Sequence, residues 1–207
     1  MTRHEFLYAL HQLLKPRGYL EIGVQFGTSL RLASCPATGV DPNPQVHGAL
    51  GPNASIFAET SDDFFAKNRE LPPIDLAFID GMHLAENAFR DFLNIEQVAN
   101  ENTVVVFDDV LPRNQGEAAR EQCPGDWTGD VWKVEPILRD QRPDLNLHLV
   151  DTEPTGLLVV TNLAPEIRHF SADLASVYGD TVPDDVLTRK NAKQPHEVLN
   201  LLKEWAR

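Results

Sequence analysis

The sequence is poor in cysteine and has no apolar run long enough to cross a membrane. Its 207 residues include two cysteines, Cys35 and Cys123, which lie far apart and form no ligand pair. Two cysteines are too few for a disulfide-stabilised secreted scaffold. The chain also shows no secretory signal and no membrane-spanning stretch. We therefore expect a cytoplasmic protein.

Basic residues are scarce as well. The chain has 18 Lys and Arg against 31 Asp and Glu, a formal net charge of −13 and a pI of about 4.8. Attraction to phosphate groups requires clusters of Lys and Arg. We therefore expect neither nucleic acid nor an anionic membrane as a partner, and we expect a small-molecule ligand instead.

Strand and helix patterns alternate along most of the chain. Residues 74–79 and 103–107 are continuous apolar runs, which are typical of central parallel strands covered on both faces. Further strands are predicted at 19–22, 38–40, 55–58, 145–150 and 156–161, and helices at 4–14, 28–34, 61–70, 84–99, 131–139, 164–178, 184–189 and 196–205. The alternation predicts a three-layer α/β domain with a mostly parallel sheet that ends in an antiparallel hairpin.

The first strand ends in a motif typical of nucleotide sites. Glu21, Gly23 and Gly27 follow one another at this strand end, and Asp41 ends the next strand. Glycines let a backbone approach a ligand, and an acid at the tip of the next strand accepts hydrogen bonds from ribose hydroxyls. Three residues separate the two glycines, which departs from the dinucleotide fingerprint and disfavours a nicotinamide-dependent dehydrogenase. An ordinary strand–turn–helix remains the alternative.

This motif resembles the S-adenosylmethionine (SAM) site of class I methyltransferases, and the resemblance covers roughly residues 17 to 162. It implies a Rossmann-like fold in which the two glycines approach the methionine half of SAM. It further implies that Ser29 contacts the carboxylate, that Asp41 binds the ribose and that Glu21 orders the loop. Ser61 and Asp62, after the third strand, would bind adenine or simply cap a helix.

A second group of acids follows the two central strands. Asp80 ends one strand, and Asp108 and Asp109 end the other. Adjacent parallel strands deliver their carboxyl ends to one edge of the sheet, so these three side chains are expected to converge. Such a cluster is costly unless a hard cation compensates its charge, and Mg²⁺ fits best. Helix capping without a metal is the alternative.

The sequence Ile79-Asp-Gly-Met-His83, together with the strand ending in Asp108-Asp109, resembles the metal-dependent sugar O-methyltransferases and their cephalosporin-hydroxylase relatives. The resemblance implies that the three aspartates bind a divalent cation, with Asp80 also beside the cofactor. Several relatives have an acid in place of Met82 and use it as the base. Here Met82 cannot accept a proton, so His83 is the candidate base. A capping or buried histidine is the alternative.

An inserted polar segment, residues 113–130, is predicted to be a surface loop or lid. Trp127 in this segment and His47 in an earlier loop are weak candidates for acceptor contacts. After the insertion, Trp132 and Lys133 are interpreted as a packing aromatic and a solvated cation, and contact with the acceptor is the alternative.

The predicted function is SAM-dependent, Mg²⁺-dependent O-methylation of a small polyhydroxylated molecule such as a sugar or glycosylated metabolite. Two alternatives stay open, a hydroxylase-like relative of the same fold and a non-catalytic SAM- or nucleoside-binding module. We predict a SAM-binding domain at residues 1–162 and a helical extension at 163–207 packed on it. This extension is a candidate surface for homo-oligomer formation.

Overall fold

The computed structural model describes residues 1–122, 124–165, 179 and 181–206. Its central feature is a seven-stranded sheet with the order β3-β2-β1-β4-β5-β7-β6. The strands are β1 Tyr19–Ile22, β2 Ala37–Val40, β3 Ala54–Phe57, β4 Ile74–Ile79, β5 Ala99–Phe107, β6 Asn146–Val150 and β7 Leu157–Thr161. The first five strands pair in parallel, and β7 is antiparallel to both β5 and β6. The predicted α/β fold with its terminal hairpin is confirmed.

The inner residues of the central strands, 76–79 of β4 and 104–107 of β5, are apolar and buried because both faces of the sheet are covered. Successive side chains of a strand point to opposite faces. Ala77 and Ile79 of β4 accordingly pack in one apolar cluster, and Leu76 and Phe78 pack in another. The β4–β5 register pairs Ile79 with Phe107, so both strands end at the same level.

Helices form the two outer layers. The helices are α1 Arg3–Leu14, α2 Ser61–Ala66, α3 Ala85–Gln97, α4 Val134–Gln141, α5 Asp184–Leu187 and α6 Pro195–Trp205. The cluster on one face includes residues of α2, α3 and α4, such as Phe64, Phe92 and Ile137. The cluster on the other face includes Phe6 of α1 and Leu202 of α6. The chain therefore folds as three layers, and α6 packs beside α1.

The largest differences from the predicted helices are at 28–34 and 61–70. The helix predicted at 28–34 is only a 3₁₀ turn, Leu30–Leu32, because Ser29 provides no side-chain cap and Pro36 follows closely. The helix predicted to run from 61 to 70 ends at Ala66, and its N-cap is Thr60 rather than a residue of the 61–63 segment.

The C-terminal region is described in part. The helix predicted at 164–178 lies almost entirely outside the described residues, as does Cys123. α5 and α6 fall within the segments predicted to be helical, apart from residue 195. In the part of the chain that can be described, no helix combines the length and the apolar character that a membrane crossing requires.

Candidate active site

A cavity of about 820 Å³ opens at the carboxyl edge of the parallel strands. Most of the residues singled out from the sequence line it, namely Gly23, Ser29, Asp41, Ser61, Asp62, Asp80, Met82, His83, Asp109 and Trp127. Glu21, Gly27, Asp108 and His47 are not among its lining residues. The tips of the five parallel strands therefore converge on one cavity, as expected for an open α/β sheet, and the insertion adds Trp127.

Asp41 at the tip of β2 holds the loop that follows β1. Its Oδ2 accepts hydrogen bonds from the backbone N–H groups of Val24 and Gln25, at 2.9 and 2.7 Å, and its Oδ1 accepts one from Asn43 at 2.7 Å. A carboxylate has about four lone-pair positions, so this one retains acceptor capacity toward the cavity. Asp41 is thus both a loop anchor and an available acceptor.

The two glycines of the motif are required by the protein backbone itself. Gly23 has φ +90°, and a Cβ there would lie 1.8 Å from the carbonyl oxygen of Asp80. Gly27 has φ +71°, and a Cβ there would lie 3.1 Å from Val46. The sequence suggested that these glycines leave room for a ligand, whereas Gly23 leaves room for the loop after β4. This close approach joins the tips of β1 and β4.

Glu21 is buried beneath the same loop. Its Oε2 accepts a 2.7 Å hydrogen bond from the Tyr19 hydroxyl, and the carboxyl also accepts one from the backbone N–H of Leu30. Burial raises the pKa of Glu21 to about 8. The structure therefore places this acid in a loop-supporting position, out of contact with the cavity.

Ser61 and Asp62 follow β3 and line the cavity together with Asp91 of α3. The carboxylate of Asp62 accepts a 2.7 Å hydrogen bond from Arg90 Nε. The hydroxyl of Ser61 is hydrogen-bonded to Asp91, whose side chain is almost fully buried. Burial raises the pKa of Asp91 to about 6.

At the tips of β4 and β5, three potential ligand atoms of Asp80, His83 and Asp109 lie within 4.8 Å of one another. His83 Nε2 is 3.2 Å from Asp109 Oδ2 and 3.6 Å from Asp80 Oδ1. Burial and the charge of Asp80 raise the pKa of Asp109 to about 6. Carboxylates and an imidazole at this spacing can hold a divalent cation.

Asp108 takes a different position from the one expected. Its Oδ2 forms an ion pair with Arg3 of α1, and its Oδ1 accepts a 2.9 Å hydrogen bond from the backbone N–H of Asp109. Arg3 Nη1 is also 3.8 Å from Asp80. In the described structure, His83 therefore completes the cluster with Asp80 and Asp109, while Asp108 lies against Arg3.

The insertion fixes the orientation of His83. His83 Nδ1 lies 2.7 Å from the carbonyl oxygen of Trp127, and the two rings are stacked with centroids 5.1 Å apart. A carbonyl oxygen only accepts, so Nδ1 carries a proton and Nε2 faces the two carboxylates. Burial alone would lower the pKa of His83, but Asp80 and Asp109 outweigh it and raise this pKa to about 9.

An ionic network anchors the insertion. Buried Asp130 accepts a 2.8 Å hydrogen bond from the backbone N–H of Ala85, and it pairs with Arg120 and Lys133. Arg120 also pairs with Glu86 of α3. Lys133 is fully buried, so the expectation of a solvated lysine is wrong, whereas Trp132 packs as expected.

Three contributors were not identified from the sequence. Arg3 lies in a helix without any motif, and the Trp127 carbonyl is a backbone group, so neither gives a sequence signal. Asp91 does give one, because it lies three residues after Ala88 and four before Ile95, on the buried face of α3. An acid at that helical position is the pattern of a buried functional group.

Comparisons with known proteins agree with this geometry. Residues 20–110 match a family model described as "Methyltransferase domain". No curated protein gives a significant sequence match. The matched residues run from β1 past the end of β5, so they include the strand tips that line the cavity.

Solved structures show the same fold at low sequence identity. One is an O-methyltransferase from Streptomyces achromogenes involved in tomaymycin synthesis, solved in complex with SAM. It is 16% identical to this chain with a TM-score of 0.61, and the match covers 78% of this chain and 80% of that one. The O-methyltransferase from Bacillus cereus with S-adenosylhomocysteine (SAH) is 16% identical with a TM-score of 0.57, covering 76% and 79%. An SAH-bound methyltransferase from Podospora anserina is 16% identical with a TM-score of 0.60, covering 77% of each chain.

Proposed function

We propose that this chain, which has the class I methyltransferase fold, transfers the methyl group of SAM to a hydroxyl of a small polyhydroxylated molecule. One observation carries this proposal. A single cavity joins a nucleotide-type strand tip, with Gly23 and Asp41, to a histidine beside two carboxylates, His83 with Asp80 and Asp109. The first end suits SAM, and the second suits removal of a hydroxyl proton.

On the cofactor side, Asp41 accepts hydrogen bonds from the ribose hydroxyls with the lone pairs that the loop amides leave free. Ser29 lines the cavity close to the β1 loop, where it can contact the methionine carboxylate. Ser61 and Asp62 lie beyond the tip of β2, beside the adenine. Glu21 and Gly27 support the loop from below. When bound, SAM supplies a methyl group activated by its sulfonium charge.

The chemistry of the donor set fits a divalent cation. Asp80 and Asp109 would hold it through their carboxylates, while His83 beside them would keep its Nε2 free for proton transfer. Bound there, a divalent cation would supply Lewis acidity that lowers the pKa of an acceptor hydroxyl. Mg²⁺ agrees with a site formed by two carboxylates. Arg3 keeps Asp108 out of this set.

His83 is the group that accepts the hydroxyl proton in this proposal. The Trp127 carbonyl keeps a proton on Nδ1, so Nε2 acts as the base once a cation on Asp80 and Asp109 offsets the carboxylate charge that raises the pKa of His83 to about 9. Asp80 and Asp109 stabilise the imidazolium that forms. Met82 is largely exposed at the cavity edge and can contribute only apolar contact.

The lining of the acceptor end supports a neutral, hydroxyl-rich acceptor. Trp127 offers an aromatic surface beside His83, and Glu117 and Thr155 add polar atoms. The carboxylates at this end disfavour an anionic acceptor. We further propose a cytoplasmic protein without nucleic-acid or membrane partners. Its C-terminal extension, residues 163–207, serves as the surface for any homo-oligomer.

The test combines SAH calorimetry with methyl transfer from labelled SAM to a panel of sugars and glycosylated metabolites. We expect SAH to bind and a hydroxyl to be methylated. EDTA should abolish transfer, and Mg²⁺ or Mn²⁺ should restore it. SAH binding without transfer to any acceptor would favour the non-catalytic module, and oxygen incorporation in place of a methyl group would favour the hydroxylase-like relative. Absence of SAH binding would overturn the proposal.

A further inference from the structure

Asp91 is a buried acid that the proposed chemistry does not use. It lies on the apolar face of α3 with only 3% of its surface exposed. The described contacts give it one hydrogen-bond partner, the hydroxyl of Ser61, while neighbouring Arg90 donates its Nε–H to Asp62. A buried carboxylate without a direct cation is costly to keep unless it serves a ligand.

The position of Asp91 in the cavity indicates which part of a ligand it meets. Its partner Ser61 follows β3, and a Cβ on Gly81, after β4, would lie 3.7 Å from Asp91 Oδ2. Asp91 therefore closes the cavity between the tips of β3 and β4. Since β3 neighbours β2 in the sheet, a base attached to a ribose on Asp41 at the tip of β2 can reach this space.

The hydrogen-bonding capacity of Asp91 is selective. An ionised carboxylate only accepts, and the Ser61 hydroxyl occupies only part of its acceptor capacity. The remaining positions require an N–H or O–H donor. Adenine presents an exocyclic amine with two N–H donors. Hypoxanthine has a carbonyl oxygen at the same position, and this partly negative oxygen would be repelled by the carboxylate.

We propose that Asp91 is the specificity-determining residue that accepts a hydrogen bond from the exocyclic amine of the cofactor's adenine. This inference rests on the proposed SAM-dependent function and assigns base recognition to a helix residue as well as to the loop after β3. Ser61 acts as the positioning residue, because its hydroxyl holds the carboxylate in place.

The test compares SAH with S-inosyl-L-homocysteine, in which a carbonyl oxygen replaces the amine, by calorimetry at pH 8. We expect the wild-type protein to bind SAH more tightly by about 10- to 100-fold, the scale of an unmet buried hydrogen bond. Asp91→Asn should reduce this preference to about threefold or less, because the amide can donate to the carbonyl oxygen. Asp91→Ala should weaken SAH binding and leave the inosyl compound bound at least as tightly as by the wild-type protein, because the repelling carboxylate is gone.

Asp140→Asn is the matched control, because Asp140 is an exposed acid of α4 outside the cavity and should keep the wild-type preference. Equal binding of the two ligands by the wild-type protein would overturn the inference, whatever the variants do. A preference that survives in a folded Asp91→Asn variant would also overturn it. If SAH does not bind at all, the proposed function fails together with this inference, and that result differs from both of the others.

Discussion

The two ends of the cavity are built in different ways. At the cofactor end, Asp41 binds the backbone N–H groups of Val24 and Gln25, which lie 17 and 16 positions away in the chain. At the catalytic end, His83 contacts Trp127 over 44 positions, and Arg3 contacts Asp108 over 105. The cofactor end depends on local backbone geometry, whereas the catalytic end depends on distant segments that meet only in the fold. Substitutions should therefore separate binding from chemistry.

The largest expected effect is at the catalytic end. His83→Ala should lower kcat by about 10²–10⁴-fold, the range for loss of a general base. The affinity for SAH should stay within about twofold, because His83 lies away from the ribose anchor. Steady-state kinetics and calorimetry measure both quantities, and His196→Ala, at an exposed histidine of α6, is the control. Activity within a few-fold of wild type would remove His83 from the mechanism.

A substitution at Gly129 tests whether contact with the insertion positions His83. Gly129 has φ +54°, and a Cβ there would lie 1.6 Å from the carbonyl oxygen of His83. Gly129→Ala should lower kcat by about 10- to 100-fold through misplacement of the base. SAH affinity should be retained.

Gly125→Ala is the matched control for that substitution. Gly125 also has a positive φ, +107°, but nothing lies within 4 Å of a Cβ there. It should cost about 1 kcal/mol of stability and leave kcat unchanged. Similar kinetics for the two variants would show that backbone strain, rather than contact with His83, causes the loss.

The same contrast explains what the sequence predicts well. Apolar runs and turn glycines are local signals, so they locate the strands and place Gly23 and Asp41 beside each other. The Arg3–Asp108 pair has no such signal, because it joins a helix at one end of the chain to a strand tip far along it. The prediction of Asp108 as a ligand considered only its neighbouring acids and omitted this cation. The sequence also predicted a longer helix where the structure has the short turn Leu30–Leu32. The apolar pattern gives no information on whether Ser29 caps the helix with its side chain.

At the cofactor end, removal of the ribose acceptor should affect binding more than turnover. Asp41→Ala should weaken SAH binding by about 1.5–3 kcal/mol, the scale of a lost charge-assisted hydrogen bond. At saturating SAM, kcat should stay within a few-fold of wild type. Asp41→Asn should lose less affinity, because its amide oxygen still accepts one loop N–H. Unchanged SAH affinity in the alanine variant would contradict the cofactor assignment.

The smallest effect on function concerns the support beneath the loop. The folded-state pKa of Glu21 is raised by burial to about 8, above the ordinary value of 4.5, so folding favours the protonated form. This contribution to stability is complete below about pH 4.5 and is lost as the pH rises through 8. Glu21→Gln should therefore melt like wild type near pH 4, and its advantage should grow by up to about 1.4 kcal/mol for each pH unit between 4.5 and 8. Parallel pH profiles of the two proteins would contradict the raised pKa.

The most direct test of the central claim is a crystal structure of the protein with SAH. The account predicts ribose hydroxyls within about 3 Å of the Asp41 carboxylate. It also predicts that the sulfur faces the cluster of Asp80, His83 and Asp109 across the same cavity. SAH bound elsewhere, or bound with its sulfur directed away from His83, would contradict the claim that one cavity joins the cofactor to the catalytic histidine.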